Sequence, residues 1–350
     1  DGDIASGPDG GALACFKSNM NFSGTTMFQN NSAGEDGGAV RLASSSTAYW
    51  HGNTSFVDNR SQRYGGGLFA TDNTRIEFHG TTVATGNFAG SVGGAFSLAG
   101  SSGITTSLVF NGSTTIHNNS AGNLGGGINV EKQCDISWDG NMTLSENMAA
   151  DDGGAVSVVG DATLEARGST LFRGNSANGY GGAVYSFGNT IGQTYRGVVF
   201  DSNTAARGGA VATFSTGQES QNTYTTCIFT NNIASATGGA VEASVGKDEF
   251  IDSSFLDNSA GAGGALRLSG TVGMWNVSFD RNSATSEGPA ISNIGDIDNM
   301  GAISFNDNYF SCSIGEFLEY FDVEVSIRIL MNGRILYLIT TFCSGTMLHA

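Results

Sequence analysis

Proline is nearly absent, with two in 350 residues, and charged residues make up only 13% of the chain, about half the share usual in soluble domains. So little charge excludes a coiled coil and a charge-solvated disordered tail, both of which need it. Basic residues are the scarcest charged group, 15 against 32 acidic for a net −17. No window gathers the Lys/Arg cluster that phosphate neutralisation requires, so nucleic acid is not expected as a partner. Five cysteines are too few for a disulfide scaffold in a chain of this length. Long apolar runs are missing too. The nearest, Ile329 to Phe342, is interrupted by Asn332, Gly333 and Arg334, so no transmembrane segment is expected. The nucleophile-elbow, P-loop, zinc-protease and paired-cysteine signatures are not found either.

What the chain has is glycine, 53 of them, and a repeat. Asn recurs at positions 31, 59, 87, 119, 147, 175, 203, 232, 258, 282 and 308, at intervals of 24 to 32 residues, half of them 28. Three residues ahead of it stands a large apolar residue, giving the pairs Phe28 and Asn31, Phe56 and Asn59, Phe172 and Asn175, and Phe200 and Asn203. The series continues with Phe229 and Asn232, Phe255 and Asn258, and Phe279 and Asn282, while Ala84 is the weak copy. Five or six residues after the Asn comes a glycine pair, usually followed by Ala, as in Gly37-Gly38-Ala39 and Gly181-Gly182-Ala183.

Alternation follows each glycine pair, as in Val40-Arg41-Leu42 or Leu266-Arg267-Leu268, and period two marks a strand with one buried face. A second strand carries an aromatic and often a glycine: Phe22-Ser23-Gly24, Trp50-His51-Gly52, Phe78-His79-Gly80, continuing loosely through Tyr224, Phe250 and Trp275. The unit therefore offers three strand segments, with no room for a crossover helix. One such unit cannot bury its apolar face alone, but stacking places Phe28 over Phe56 and Trp50 over Phe78. The expected fold is all-β: a right-handed parallel β-helix (a pectin-lyase-like solenoid) of about eleven coils, a rod roughly 50 Å long at about 4.8 Å per coil. Residues 1–308 form the helix. Residues 309–350 are a separate cap or atypical tail, with two apolar strands flanking Asn332-Gly333 as a capping hairpin.

These F-x-x-N and G-G-A motifs resemble the repeats of the chlamydial polymorphic outer membrane proteins and related proteins of other bacteria and some protists. The resemblance implies the β-helical passenger of an autotransporter, shown at the cell surface and adhesive toward a host or neighbouring cell-surface protein or glycan. It also implies a C-terminal translocator barrel, for which residues 309–350 are too short.

Candidate sites are sparse. The outward row after the glycine pairs reads Arg41, Phe69, Ser97, Asn129, Ser157, Tyr185, Ala212, Glu242, Arg267, Ser292. It offers no paired acids on adjacent coils, as polysaccharide cleavage would need. No catalytic, metal or cofactor site is expected, and a non-enzymatic role is favoured over a polysaccharide lyase or hydrolase. The second outward row, His51, His79, Asn111, Asp139, Arg167 and Arg196, is the candidate binding stripe, with corner loops such as Gln62 to Tyr64 and Asn178 to Tyr180 beside it. Cys15 and Cys134 fall about four coils, roughly 19 Å, apart, too far for a disulfide. That leaves Cys312 with Cys343 as the one plausible bridge.

Overall fold

The computed structural model describes residues 9–310 apart from 102, 104, 189–191, 216–220, 245, 294 and 296. Among the described residues the chain winds into a parallel β-helix of four sheets, each of eleven strands, in which every strand but the end ones pairs with its equivalents one coil before and one coil after. The first coil shows the plan: Leu13–Phe16 in sheet I, Asn19–Phe22 in sheet II, Thr26–Gln29 in sheet III and Ser32–Ala33 in sheet IV. The crossover rule for parallel strands makes the winding right-handed. Three strands per coil were expected; the fourth is two residues long in most coils, directly after the Asn, and too short to show an alternating pattern.

Inside, like lies on like. Val40 pairs with Leu68 and Leu68 with Phe96 in sheet I. The sheet II aromatics Phe22, Trp50, Phe78 and Phe110 stack with centroids 4.9, 4.8 and 5.3 Å apart. In sheet III Phe28 lies 5.0 Å from Phe56, and Phe200, Phe229 and Phe255 succeed one another at 4.7 Å. Trp275 departs from the expected row: Met274 pairs with Phe250 and fills the core, while Trp275 pairs with Ile251 on the outer face. Met274 is the unbranched side chain that adapts most readily to an irregular gap, and it releases the indole.

The Asn row explains the F-x-x-N motif. Asn147 Nδ2 and backbone N–H both donate to Asn175 Oδ1 at 3.0 Å, and its own Oδ1 accepts from the Asn119 backbone N–H (3.1 Å) and Nδ2 (3.0 Å). Asn147 Nδ2 also reaches the carbonyl of Ile116, the residue at the Phe position one coil earlier, at 2.9 Å. The same triad recurs from Asn59 to Asn282. Motif spacing thus sets one amide where it bonds a strand carbonyl of one coil and the side chain of the next. The residue just before each ladder Asn turns with positive φ, as at Asn30 (56°), Asp58 (52°), Gly86 (67°) and Asn118 (52°), which is why Asn, Asp and Gly cluster there.

Each glycine of the pair answers a different demand. Gly93 holds φ at 69°, and a Cβ there would lie 2.3 Å from the Phe96 carbonyl oxygen; at Gly94 it would lie 2.0 Å from the Gly126 carbonyl oxygen of the next coil. Conformation requires the first, coil-to-coil approach the second. Pro289 takes the second place beside Gly288, just before Ile291–Asn293, the last strand of sheet I among the described residues.

The row after the glycine pairs does not lie open as expected. Phe69, Ser97, Asn129, Ser157, Ala212, Glu242 and Ser292 are buried. The turn leading into each glycine pair folds over them, its residues bridging coil to coil as Tyr64 to Val92, Leu124 to Asp152 and Tyr180 to Arg207.

One inward row changes character. After Met20, Ala48, Ile76, Leu108, Ile136 and Leu164 it becomes Gln193, Asn222 and Asp248 before returning to Val272. Asn222 Oδ1 accepts the Gln193 backbone N–H at 3.1 Å, and Asn222 Nδ2 donates to Asp248 Oδ1 at 3.0 Å. Burial pushes the Asp248 carboxyl up to about 7, opposed by the Asn222 hydrogen bond.

Two outcomes follow. Asn147→Ala orphans the Asn119 backbone N–H and the Ile116 carbonyl, and is expected to cost roughly 2–4 kcal/mol; exposed Asn141→Ala is expected to stay within about 0.5 kcal/mol. Thermal melts of both variants measure this. For Asp248 the folded-state pKa lies above the unfolded value of 3.8, so the folded state binds the proton more tightly. Its contribution to stability is complete below pH 3.8 and is lost as pH rises toward about 7. Melting temperature measured against pH should therefore fall less for Asp248→Asn than for the parent across that window.

Candidate functional site

The binding stripe is built at the exit of sheet II, where the chain leaves the strand before the turn glycine. Backbone N–H groups of His51, His79, Asn111, Asp139 and Arg167 each donate to the backbone carbonyl of the inward aromatic residue of the preceding coil, His79 to Trp50 at 2.8 Å and Arg167 to Trp138 at 3.1 Å among them. The ladder thereby sets these side chains one above another at a single corner of the rod.

The structure brings the stripe together in two groups. His51 and His79 stack with centroids 5.1 Å apart and planes inclined by 17°. His79 Nε2 lies 3.0 Å from Glu77, and its Nδ1 lies 3.3 Å from the Asn111 amide. Tyr49 extends the stack, 6.3 Å from His51. In the second group Arg167 Nε donates to Glu165 at 2.6 Å, with Asp139 at 3.8 Å from its Nη1. Arg196 is carried by the next coil, since Tyr195 before it pairs with Ala166. All six residues are exposed.

Sequence reading missed the supporting side chains Tyr49, Glu77 and Glu165. They stand two residues upstream on the same strand face, and the period-two alternation that identified the stripe also points to them. Chemically the corner offers alternating carboxylates, amides, imidazoles and guanidinium groups at about 5 Å intervals, which suits a ligand with many hydroxyl or amide groups. Two imidazoles, each with an edge toward solvent, fall short of a closed coordination set.

Among the described residues, one group of carboxylates converges at the spacing a cation would need: Asp9, Glu35 and Asp36. Arg63 Nη2 lies 2.9 Å from Asp36 and 3.2 Å from Glu35, and Arg41 pairs with Asp9. Two guanidinium groups thus already balance this cluster. The described cysteines, Cys15, Cys134 and Cys227, are free thiols, and burial pushes Cys134 and Cys227 up to about 12, so neither is a nucleophile at neutral pH. Cys312 and Cys343, with the expected capping hairpin, lie outside the described residues. Among the described residues, no helix is long and apolar enough to cross a membrane.

A model of the Chlamydia polymorphic membrane protein repeat matches residues 169–186. That window runs from the sheet III strand Thr170–Arg173 through Asn175 and Gly181-Gly182-Ala183 into the next sheet I strand, so it contains one whole F-x-x-N and G-G-A unit. No curated protein and no solved structure matches the chain.

The corner also separates two acceptor sequons. Asn53 is exposed in the turn after His51, whereas Asn59 is a buried ladder residue. Expressed through a eukaryotic secretory pathway, the chain is expected to carry glycan at Asn53 and none at Asn59. Mass mapping of tryptic peptides reads both, and glycan on Asn59 would contradict the inward amide.

Proposed function

We propose that this chain is a non-enzymatic β-helical rod of the cell surface or extracellular space that adheres to a protein or glycan on a host or neighbouring cell, in the manner of an autotransporter passenger. The reading is carried by one contrast. Interior positions repeat along the rod as Phe, Asn and Gly, whereas the exterior stripe reads His, His, Asn, Asp, Arg, Arg, four residue types over six coils. Stacking favours like residues inside and leaves the outside free, so the row that changes character along the rod is where recognition can be written.

Supporting this, the repeat match at residues 169–186 is to a family of membrane-associated surface proteins. The net charge of −17 argues against polyanionic partners and for a neutral or basic surface. Outer-membrane association is the expected setting in a bacterial host cell.

The full chain coupled to fluorescent beads is expected to attach to cultured cells saturably and to be competed by free chain. Replacing His79 by Ala together with Arg167 by Glu is expected to weaken attachment several-fold. Attachment that never saturates would reduce the rod to a spacer. Reducing ends released from an acidic polysaccharide would instead make it a lyase or hydrolase.

A further inference from the structure

Most aromatic side chains of this rod belong to its interior; of those outside it, four gather in one cluster. On the outer face of sheet I at coils seven and eight, Tyr180, Tyr185, Phe187 and Phe214 gather outside the core. Tyr185 and Phe187 alternate with inward Val184 and Ser186 along the strand Val184–Gly188, and Phe187 pairs with Phe214 of the next coil. Tyr180 comes from the turn that precedes the glycine pair. Centroids of Tyr180 and Tyr185 lie 6.0 Å apart with planes 22° off parallel; Tyr185 and Phe187 follow at 6.3 Å and 15°. Phe214 abuts Tyr180 edge-on at 4.8 Å. Arg207 sits 5.7 Å over the Tyr180 ring, and its Nε is 3.5 Å from Glu242.

Packing alone does not call for these rings. The equivalent positions in the three preceding coils are Ser97, Asn129 and Ser157, all buried, and Phe69 earlier in the same row is buried as well, packed against Tyr64 at 5.5 Å. Val159 precedes Phe187 in its own row, so an aliphatic side chain serves there. Phe187 nevertheless leaves 42% of its surface in water. Exposed aromatic area held on rigid strands, with phenol hydroxyls and an ion pair at its margin, is the composition of a recognition site.

We propose that this cluster binds a neutral glycan, its near-parallel rings stacking on the C–H faces of successive sugar rings. The charge pattern selects that class. Glu242 already neutralises the nearest cation, Arg207, and the chain carries −17 overall, so an acidic polysaccharide meets no free positive charge and a repelling field. Hydroxyls of Tyr180 and Tyr185 supply the donors and acceptors that sugar hydroxyls need. This site deepens the adhesive reading and rests on it, but lies on a different sheet from the histidine stripe.

The test is saturation-transfer NMR on the intact chain with cellohexaose, maltohexaose and a β-galactan hexaose. Saturation of the ring C–H protons is expected for at least one of them, and Phe187→Ser or Tyr185→Ser should each weaken binding at least tenfold. Because Phe187 is already half in water, its variant should melt with the parent, and the exposed Asn141→Ala should bind the sugar unchanged. No transfer from any of the three sugars would overturn the proposal, as would transfer indifferent to both substitutions. Cell attachment that resists glycan removal yet fails in Phe187→Ser would make the site a protein contact and overturn the glycan while leaving the adhesive reading intact. Failure of both assays would sink the two together.

Discussion

The side-chain amide that links each coil to the next is the bond on which everything else in the rod depends. A strand slipped by one residue would turn Phe and Asn outward together, exposing an apolar row and stripping the amide ladder of its partners. Since Asn147 answers both Ile116 one coil back and Asn175 one coil on, register is checked at every coil rather than once per sheet. The coupling is strictly between neighbours, which leaves coil length free. In the coil containing Phe96, a longer connection separates the strands Phe96–Ala99 and Thr106–Phe110; later, Leu266–Leu268 is followed almost at once by Thr271–Trp275. Both coils keep their Asn in line.

The exterior obeys different energetics. Ion pairs such as Arg281 to Asp257 at 2.9 Å join adjacent coils across solvent, where screening and side-chain entropy leave them little net contribution. Their loss costs the rod little, so outward positions can change without unfolding it. A rod that stores stability inside and leaves its surface nearly neutral in energy can vary its partner without altering its frame.

How much of this was legible depended on whether a residue's role repeats. The Phe and Asn positions, the glycine pairs and the stacking of Val40 on Leu68 recur often enough to be read directly. The sheet IV strands were not, because two residues carry no period. Burial of Ser97, Asn129 and Ser157 was missed for another reason. Alternation says which face of a strand points away from the core, but not that a turn five residues earlier in the chain will fold back over it. Trp275 was misplaced because a bulky aromatic looks like the next member of an aromatic row, while Met274 beside it fits the gap. In the stripe, the six residues were visible as a column, but Glu77 and Glu165, which hold His79 and Arg167, do not stand out in the sequence.

Coils seven to nine depart from the repeat on both sides of the wall. Inside, Gln193, Asn222 and Asp248 replace an aliphatic row with a hydrogen-bonded polar one that includes a buried carboxyl. Outside, Tyr185, Phe187 and Phe214 form a cluster of rings of which Phe187 is exposed. Each change lowers stability where it stands: a buried acid disfavours its charged form, and exposed aromatic area forgoes burial. In a globular domain with one shared core, two such costs would fall on the whole fold. Here they are confined to the interfaces between a few coils, because nearest-neighbour coupling does not transmit them further. A solenoid can therefore concentrate its departures in one segment, and that segment, rather than the regular coils around it, is where a selected property of this chain is to be sought.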